Sequence, residues 1–158
     1  MNKYEIEIKW AVIFSLATLV WMFLEKTWGW HDELIGKHAL YTNLFAIVAI
    51  TVYVLALLDK REKSYNGKMS WKQGFISGII LSIVIAVLSP ITQYITQTTI
   101  SPQYFPNAIE YIVDSGKMSQ ETAESYFNLK SYVIQGIFGA LSMGIVTAAI
   151  VAFFVKKQ

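Results

Sequence analysis

Two histidines, a glutamate and a set of amides are the residues of this sequence best equipped for chemistry. His31 and His38 stand seven apart, a spacing that returns to the same face of a helix, and Glu25, Asp32 and Glu33 lie close by in the chain. Imidazole and carboxylate together can hold a transition metal or exchange protons near neutrality. Metal-binding histidines on a helix more often stand four apart, so the expectation is no metal and no cofactor. The pair is instead expected to hydrogen-bond Glu25 or a phosphate group. A second polar set surrounds Pro90: Ser89, Gln93 and Gln97 recur every four residues, with Thr92 and Thr96 beside them. Pro90 removes a backbone donor and is expected to kink its helix.

No catalytic motif accompanies these residues. The chain has no G-x-S-x-G, no H-E-x-x-H and no phosphate-binding glycine loop. With no cysteine, disulfides, thiolate metal sites and cysteine nucleophiles are excluded. The expectation is a protein that is not an enzyme. A net charge of +2 is too small to point to nucleic acid as a partner.

The elements that must position these groups are long and apolar. Apolar residues make up 54% of the 158 and charged residues only 15%, against about 25% charged in ordinary soluble domains. A chain this short cannot bury that much apolar surface within itself, so the surplus faces something other than water. The charges leave four uncharged windows, 10–24, 39–58, 73–98 and 131–155. The last three match the roughly 20 residues that cross a hydrocarbon core. The first is short, about 22 Å of helix at about 1.5 Å per residue. It spans either by extending inward past Ile8 and Ile6 while Lys9 snorkels, or outward to Trp28, and the two solutions place Glu25 at different depths. The fold expected is an all-α, integral-membrane four-helix bundle over 1–158, with spans of approximately 8–28, 39–58, 73–98 and 131–155. The N-terminus mixes acids with a lone lysine and has no cleavage site after the first apolar run, so no signal peptide is expected.

Orientation follows from the basic residues. Lys3, Lys9, Lys60, Arg61, Lys63, Lys68, Lys72, Lys156 and Lys157 fall on one side of such a bundle, and only Lys26, Lys37, Lys117 and Lys130 on the other. The positive-inside rule gives both termini inside. Trp10 and Trp71 then belong to the cytoplasmic interface, and Trp28, Trp30, Tyr104, Phe105, Tyr126, Phe127 and Tyr132 to the outer one. In this frame Glu25, Lys26, His31, His38, Asn43, Gln93, Gln97 and Gln135 all lie toward the outer leaflet. If they converge they line a polar cavity open to the outside; otherwise the amides pair with neighbouring helices as packing contacts.

The outer loop 99–130 is the one sizeable piece outside the spans. Pro102 and Pro106 interrupt the backbone, a short amphipathic helix through Val113 is expected to open at Pro106 or Asn107, and Gly116 is expected to stop it. Ser119 reads as a new N-cap, with a helix expected to run from there into the fourth span. Asn66-Gly67 reads as a turn that tolerates positive φ. The two halves share an outline of basic residue, outward helix, loop and return, as in a parallel repeat of hairpins.

Helices three and four carry ladders of small residues every four positions: Gly74, Gly78, Ser82 and Ala86 on one, Gly136, Ala140, Gly144, Ala148 and Ala152 on the other. In lipid this spacing lets two backbones approach closely. The ladders are expected to pack helices three and four within one subunit, or to form the seam of a homodimer.

Several runs together resemble a known family. W-M-F-L-E-K-x-x-G-x-H-D at 21–32, K-H-A-L-Y-T-N-L-F at 37–45 and L-L-D-K-R at 57–61 carry the likeness, as do Y-N-G-K-M at 65–69, Q-G-F at 73–75, S-P-I-T-Q-Y at 89–94 and Y-F-N-L-K at 126–130. They are similar to small bacterial inner-membrane proteins grouped as domain of unknown function four-one-nine-nine, over essentially the whole chain. The resemblance implies a four-helix inner-membrane protein, carries over no established activity and leaves the function open. Two functions follow as expectations: a non-enzymatic accessory or scaffold component working with the bilayer and another membrane subunit, or a small transporter or ligand-binding protein using the polar cavity.

Overall fold

The computed structural model describes residues 4–157; Lys3, counted above with the N-terminal tail, and Gln158 lie outside them. The chain forms α1 (Glu5–Thr27), a short α2 (Ile35–Tyr41), one 3₁₀ turn and α3 (Phe45–Tyr65). It continues as α4 (Trp71–Ile95), α5 (Tyr104–Asp114), α6 (Gln120–Tyr126) and α7 (Leu129–Val155). Among the described residues there is no strand, only an isolated bridge between Met69 and Lys157. Four helical stretches are long and apolar enough to cross a membrane: Glu5–Thr27, Ile35–Tyr65, Trp71–Ile100 and Leu129–Val155. Phe154, Leu40, Val87, Ile47, Phe138 and Met143 point outward, each about two-thirds exposed or more. Glu7, Glu25, His31, Lys60, Ser77 and Ser82 are buried. An apolar exterior, with acids and a lysine buried beside an apolar core, departs from the pattern of a water-soluble bundle.

The short first window lengthens at both ends, so neither extension excludes the other. α1 begins at Glu5 and runs past Glu25 to Thr27. Lys9 does not stand alone at its start; it pairs with Asp59 of α3, which also accepts from Trp10 Nε1 at 2.8 Å. Hydroxyls placed among the apolar residues bond back to the carbonyl four residues earlier, Ser15 to Ala11 and Thr18 to Phe14. This satisfies them without a partner helix.

At one end of the bundle both described chain ends meet. Lys60 reaches Glu7 Oε1 at 2.9 Å, and Ser77 Oγ donates to the same oxygen at 2.7 Å, tying α1, α3 and α4. Asn66 (φ +50°) and Gly67 (φ +80°) turn the chain after α3, conformations that these residue types adopt readily. Ser70 caps α4 in a reciprocal pair with Gln73. Met69 and Lys157 exchange backbone hydrogen bonds of 2.8 and 2.9 Å, and Arg61 caps the last turn of α7 at the Val155 carbonyl.

α4 and α7 make the most extensive helix pair. Their small residues face each other in antiparallel register. A Cβ placed on Gly74 would lie 3.2 Å from Ala152 Cβ, and one on Gly78 would overlap Ala148 Cβ. On Gly144 it would meet Tyr53 Oη at 2.6 Å and Ser82 Cβ at 2.8 Å, and on Gly136 it would meet Ser89 Oγ at 2.5 Å. Ala86 and Ala140 continue the two series, the first buried and the second packed against the core. Tyr53 and Ser82 share a hydrogen bond of 2.7 Å beside Gly144, joining α3 to this seam.

α4 continues as one helix across Pro90, and a wider turn follows at Thr96–Ile100. Two expectations change. α5 opens at Tyr104, with Pro106 in its first turn, where no backbone donor is needed; it closes at Gly116 with φ +68°. The helix capped by Ser119 does not continue into the last span. Asn128 separates them: its Nδ2 donates to the carbonyls of Glu124 and Ser125 at the end of α6, while its Oδ1 accepts from Ser131 N to open α7.

Candidate functional site

The far end of the bundle from Lys60 is organised around Glu25. On the last turns of α1, Trp21 and Glu25 stand four apart, and Trp21 Nε1 donates to Glu25 Oε1. Gly29, at φ +78°, then reverses the chain. The reversal is held by hydrogen bonds from Trp30 N to Glu25 O at 3.0 Å and from Leu34 N to Gly29 O at 2.8 Å. This brings His31 back beneath the end of α1, and α2 brings His38 to the same point. Nε2 of each histidine lies 3.1 Å from the same oxygen, Glu25 Oε2. The carboxylate is fully buried and His31 nearly so, while His38 keeps 19% of its side chain exposed.

The two histidines therefore do not share a helix face, as their spacing suggested. His31 belongs to the turn and His38 to α2, and Glu25 is what joins them. Of the two hydrogen-bond partners expected for them, the carboxylate is the one they contact.

α5 closes the site from above. Asn107 Nδ2 donates to the His31 carbonyl and to Asp32 Oδ1, both at 3.0 Å, and Asp32 in turn pairs with Lys26. Tyr104, expected among interfacial aromatics, is only 5% exposed and packs against both imidazoles. The three ring centroids stand 5.1–5.2 Å apart. Tyr104 Oη is 3.4 Å from His38 Nδ1 and 3.0 Å from Tyr132 Oη on α7. Burial pushes the Tyr104 phenol above its ordinary value, so it remains an O–H donor across the neutral range.

Beside this cluster lies a cavity of about 180 Å³ whose wall includes His31, His38, Gln93, Gln97, Tyr104 and Tyr132. Two atoms of wall residues, His31 Nδ1 and Gln97 Oε1, are buried without a hydrogen-bond partner among the described residues. Of the eight candidate cavity residues, Glu25, His31, His38, Gln93 and Gln97 are brought together. Lys26 sits at the margin in its pair with Asp32. Asn43 is exposed and bonds back to the Ala39 carbonyl at 2.7 Å; it lines not this cavity but an adjoining one of about 410 Å³, shared with His38, Tyr104 and Tyr132. Gln135 is also exposed, held by Tyr126 Oη and Ser131 Oγ on the surface. Trp21, Tyr104, Asn107 and Tyr132 complete the surroundings and were not singled out as site residues. Only Trp21 carried a local signal, its four-residue spacing from Glu25.

The chain belongs to the family described as a protein of unknown function, DUF4199, whose model matches residues 9–157. No curated protein and no solved structure matches it.

Proposed function

We propose, with that family membership as the premise, that this is a non-enzymatic, multi-pass protein of a bacterial inner membrane, binding a small polar ligand in the cavity beside Glu25. Both termini face the cytoplasm in this reading. Its support is the distribution of cations: Lys9, Lys60, Arg61, Lys63, Lys68, Lys72, Lys156 and Lys157 against Lys26, Lys37, Lys117 and Lys130. The ligand cavity then lies toward the outer leaflet, beside α5.

One observation carries the binding reading. Two buried polar atoms without partners belong to residues of the same cavity wall, next to a buried carboxylate. Each unmatched group costs about 1–3 kcal/mol, and a polar occupant of the cavity would remove that cost. The accessory-subunit reading lacks such a feature, because both small-residue ladders face each other within the chain and neither is left as a seam.

The test is thermal unfolding of the purified full chain in detergent against a panel of small polar solutes. A ligand at a hundred times its dissociation constant should add about 2.7 kcal/mol of stability. Glu25→Gln should abolish the gain. A panel without effect, together with a stoichiometric membrane-protein partner recovered by quantitative pull-down, would favour the accessory role.

A further inference from the structure

We propose that the occupant of this site is a divalent transition-metal ion of the zinc or ferrous type, held by Glu25 Oε2, His31 Nε2 and His38 Nε2. The inference rests on the ligand-binding reading above and names its ligand. It runs against the expectation drawn from the seven-residue histidine spacing, which assumed that both rings sat on one helix.

Geometry is the first argument. Donor atoms about 2.0–2.1 Å from a tetrahedral ion stand about 3.3 Å from one another. Here both Nε2 atoms are 3.1 Å from the carboxylate oxygen, and each of the three residues offers a donor atom within 4.8 Å of the others. Any narrowing required falls on the gap between the imidazoles, one of which sits on the short helix α2. Two imidazoles and one carboxylate form a donor set found at open zinc sites and at ferrous facial triads. Mg²⁺ and Ca²⁺ prefer oxygen donors throughout, so two nitrogens select against them.

Charge is the second. Glu25 is completely buried, and its contacts are two imidazoles and an indole N–H. No Lys or Arg among the described residues pairs with it, and Lys26, its neighbour in sequence, is engaged by Asp32. Its only possible cations are therefore the two imidazoles, which carry charge only when protonated. A buried carboxylate is costly without a compensating charge, and a divalent ion supplies one with the rings neutral.

The surroundings provide orienting contacts for two of the three ligands, Glu25 and His38, while His31 is held through its backbone carbonyl by Asn107. Trp21 holds Oε1 and leaves Oε2 toward the histidines. Tyr104 Oη stands by His38 Nδ1, so that with the ring proton on Nδ1 the Nε2 lone pair is free to coordinate. On the cavity side, Gln97 Oε1 is a buried acceptor suited to a water on the ion's open position.

The test uses the full chain in detergent, stripped with chelator and titrated with Co²⁺ alone, then with Zn²⁺ alone. One Co²⁺ per chain should bind with the visible bands of four-coordinate cobalt, be displaced by Zn²⁺, and raise the melting temperature. His38→Asn, partly exposed, removes one contact to Glu25 Oε2 and so should lower the metal-free melting temperature modestly. The reading that counts is a Co²⁺ affinity weakened by at least about a hundredfold and the loss of the metal-induced rise in melting temperature. Should that variant not fold, Tyr104→Phe carries the same test through an orienting contact, with a loss of about tenfold. Co²⁺ binding that neither variant weakens overturns the proposal. So does a wild-type chain that binds no Co²⁺. If that chain is still stabilised by a small polar solute through Glu25, the cavity reading stands without the metal; if nothing binds, both fall.

Discussion

Gly78 on α4 and Ala148 on α7 lie so close that a Cβ on the glycine would overlap the alanine methyl. No side chain at position 78 can be accommodated without separating the two helices, and Gly144 is confined in the same way by Ser82 and Tyr53. Gly139, also on α7, has nothing within 4 Å of where its Cβ would stand. The contrast gives the first prediction. Gly78→Leu and Gly144→Leu should each destabilise the protein by about 3 kcal/mol or more, at or beyond the upper end of ordinary overpacking. Gly139→Leu should change stability by no more than about 1 kcal/mol, with a gain of helix propensity. Equilibrium unfolding in mixed micelles measures all three, and equal losses would contradict the seam.

The Trp21–Glu25 contact predicts a second effect. Trp21→Phe keeps an aromatic ring near Phe45, now 5.9 Å from the indole centroid, but removes the N–H that Glu25 Oε1 accepts. A buried carboxylate oxygen then loses its donor, at a cost of about 1–3 kcal/mol. The midpoint of unfolding should fall accordingly in Trp21→Phe. Trp28→Phe, at a half-exposed position, should leave it within about 0.5 kcal/mol.

These two relationships show unequally in the sequence. The seam was legible because small residues recur every four positions on both helices, and that period survives intact in the folded chain. The polar site was only partly so. Gln93 and Gln97 follow the same helical period, and Glu25 stands out as an acid at the end of an apolar run. His31 and His38 come together through a reversal at Gly29, which no periodicity encodes. Tyr104 and Asn107 arrive on a separate helix, 66 or more residues beyond His38, and nothing local ties them to it. Gln135 shares only depth with the site, and depth does not say which way a side chain turns on its helix; Asn43, at the same depth, lines the cavity that adjoins His38 and Tyr104.

The opposite end of the bundle offers a prediction about a buried ion pair. Glu7 and Lys60 are both nearly inaccessible, 2.9 Å apart, and Ser77 donates to the same carboxylate. Lys60→Met leaves Glu7 buried without its cation and should destabilise by about 3–5 kcal/mol. Combining it with Glu7→Gln removes the uncompensated charge, so the double variant should recover most of the loss. Denaturation midpoints for the two single variants and the double complete the cycle. Simple additivity would show that the pair is not coupled.

The orientation can be tested with single cysteines, because the sequence contains none to remove. Lys68 is exposed in the turn before α4, at the end where α1 begins and α7 finishes. Ser115 is exposed just after α5, on the chain that covers Glu25. Neither side chain lies in the α4–α7 seam, so both variants should fold. With the basic end inside, a membrane-impermeant maleimide added to spheroplasts should label Ser115→Cys directly, and Lys68→Cys only after the membrane is opened. The reverse pattern would place the Glu25 site on the cytoplasmic face, and its ligand would then be drawn from the cell interior. Equal labelling of both before permeabilisation would contradict a four-span topology, since the two positions are separated by the length of α4.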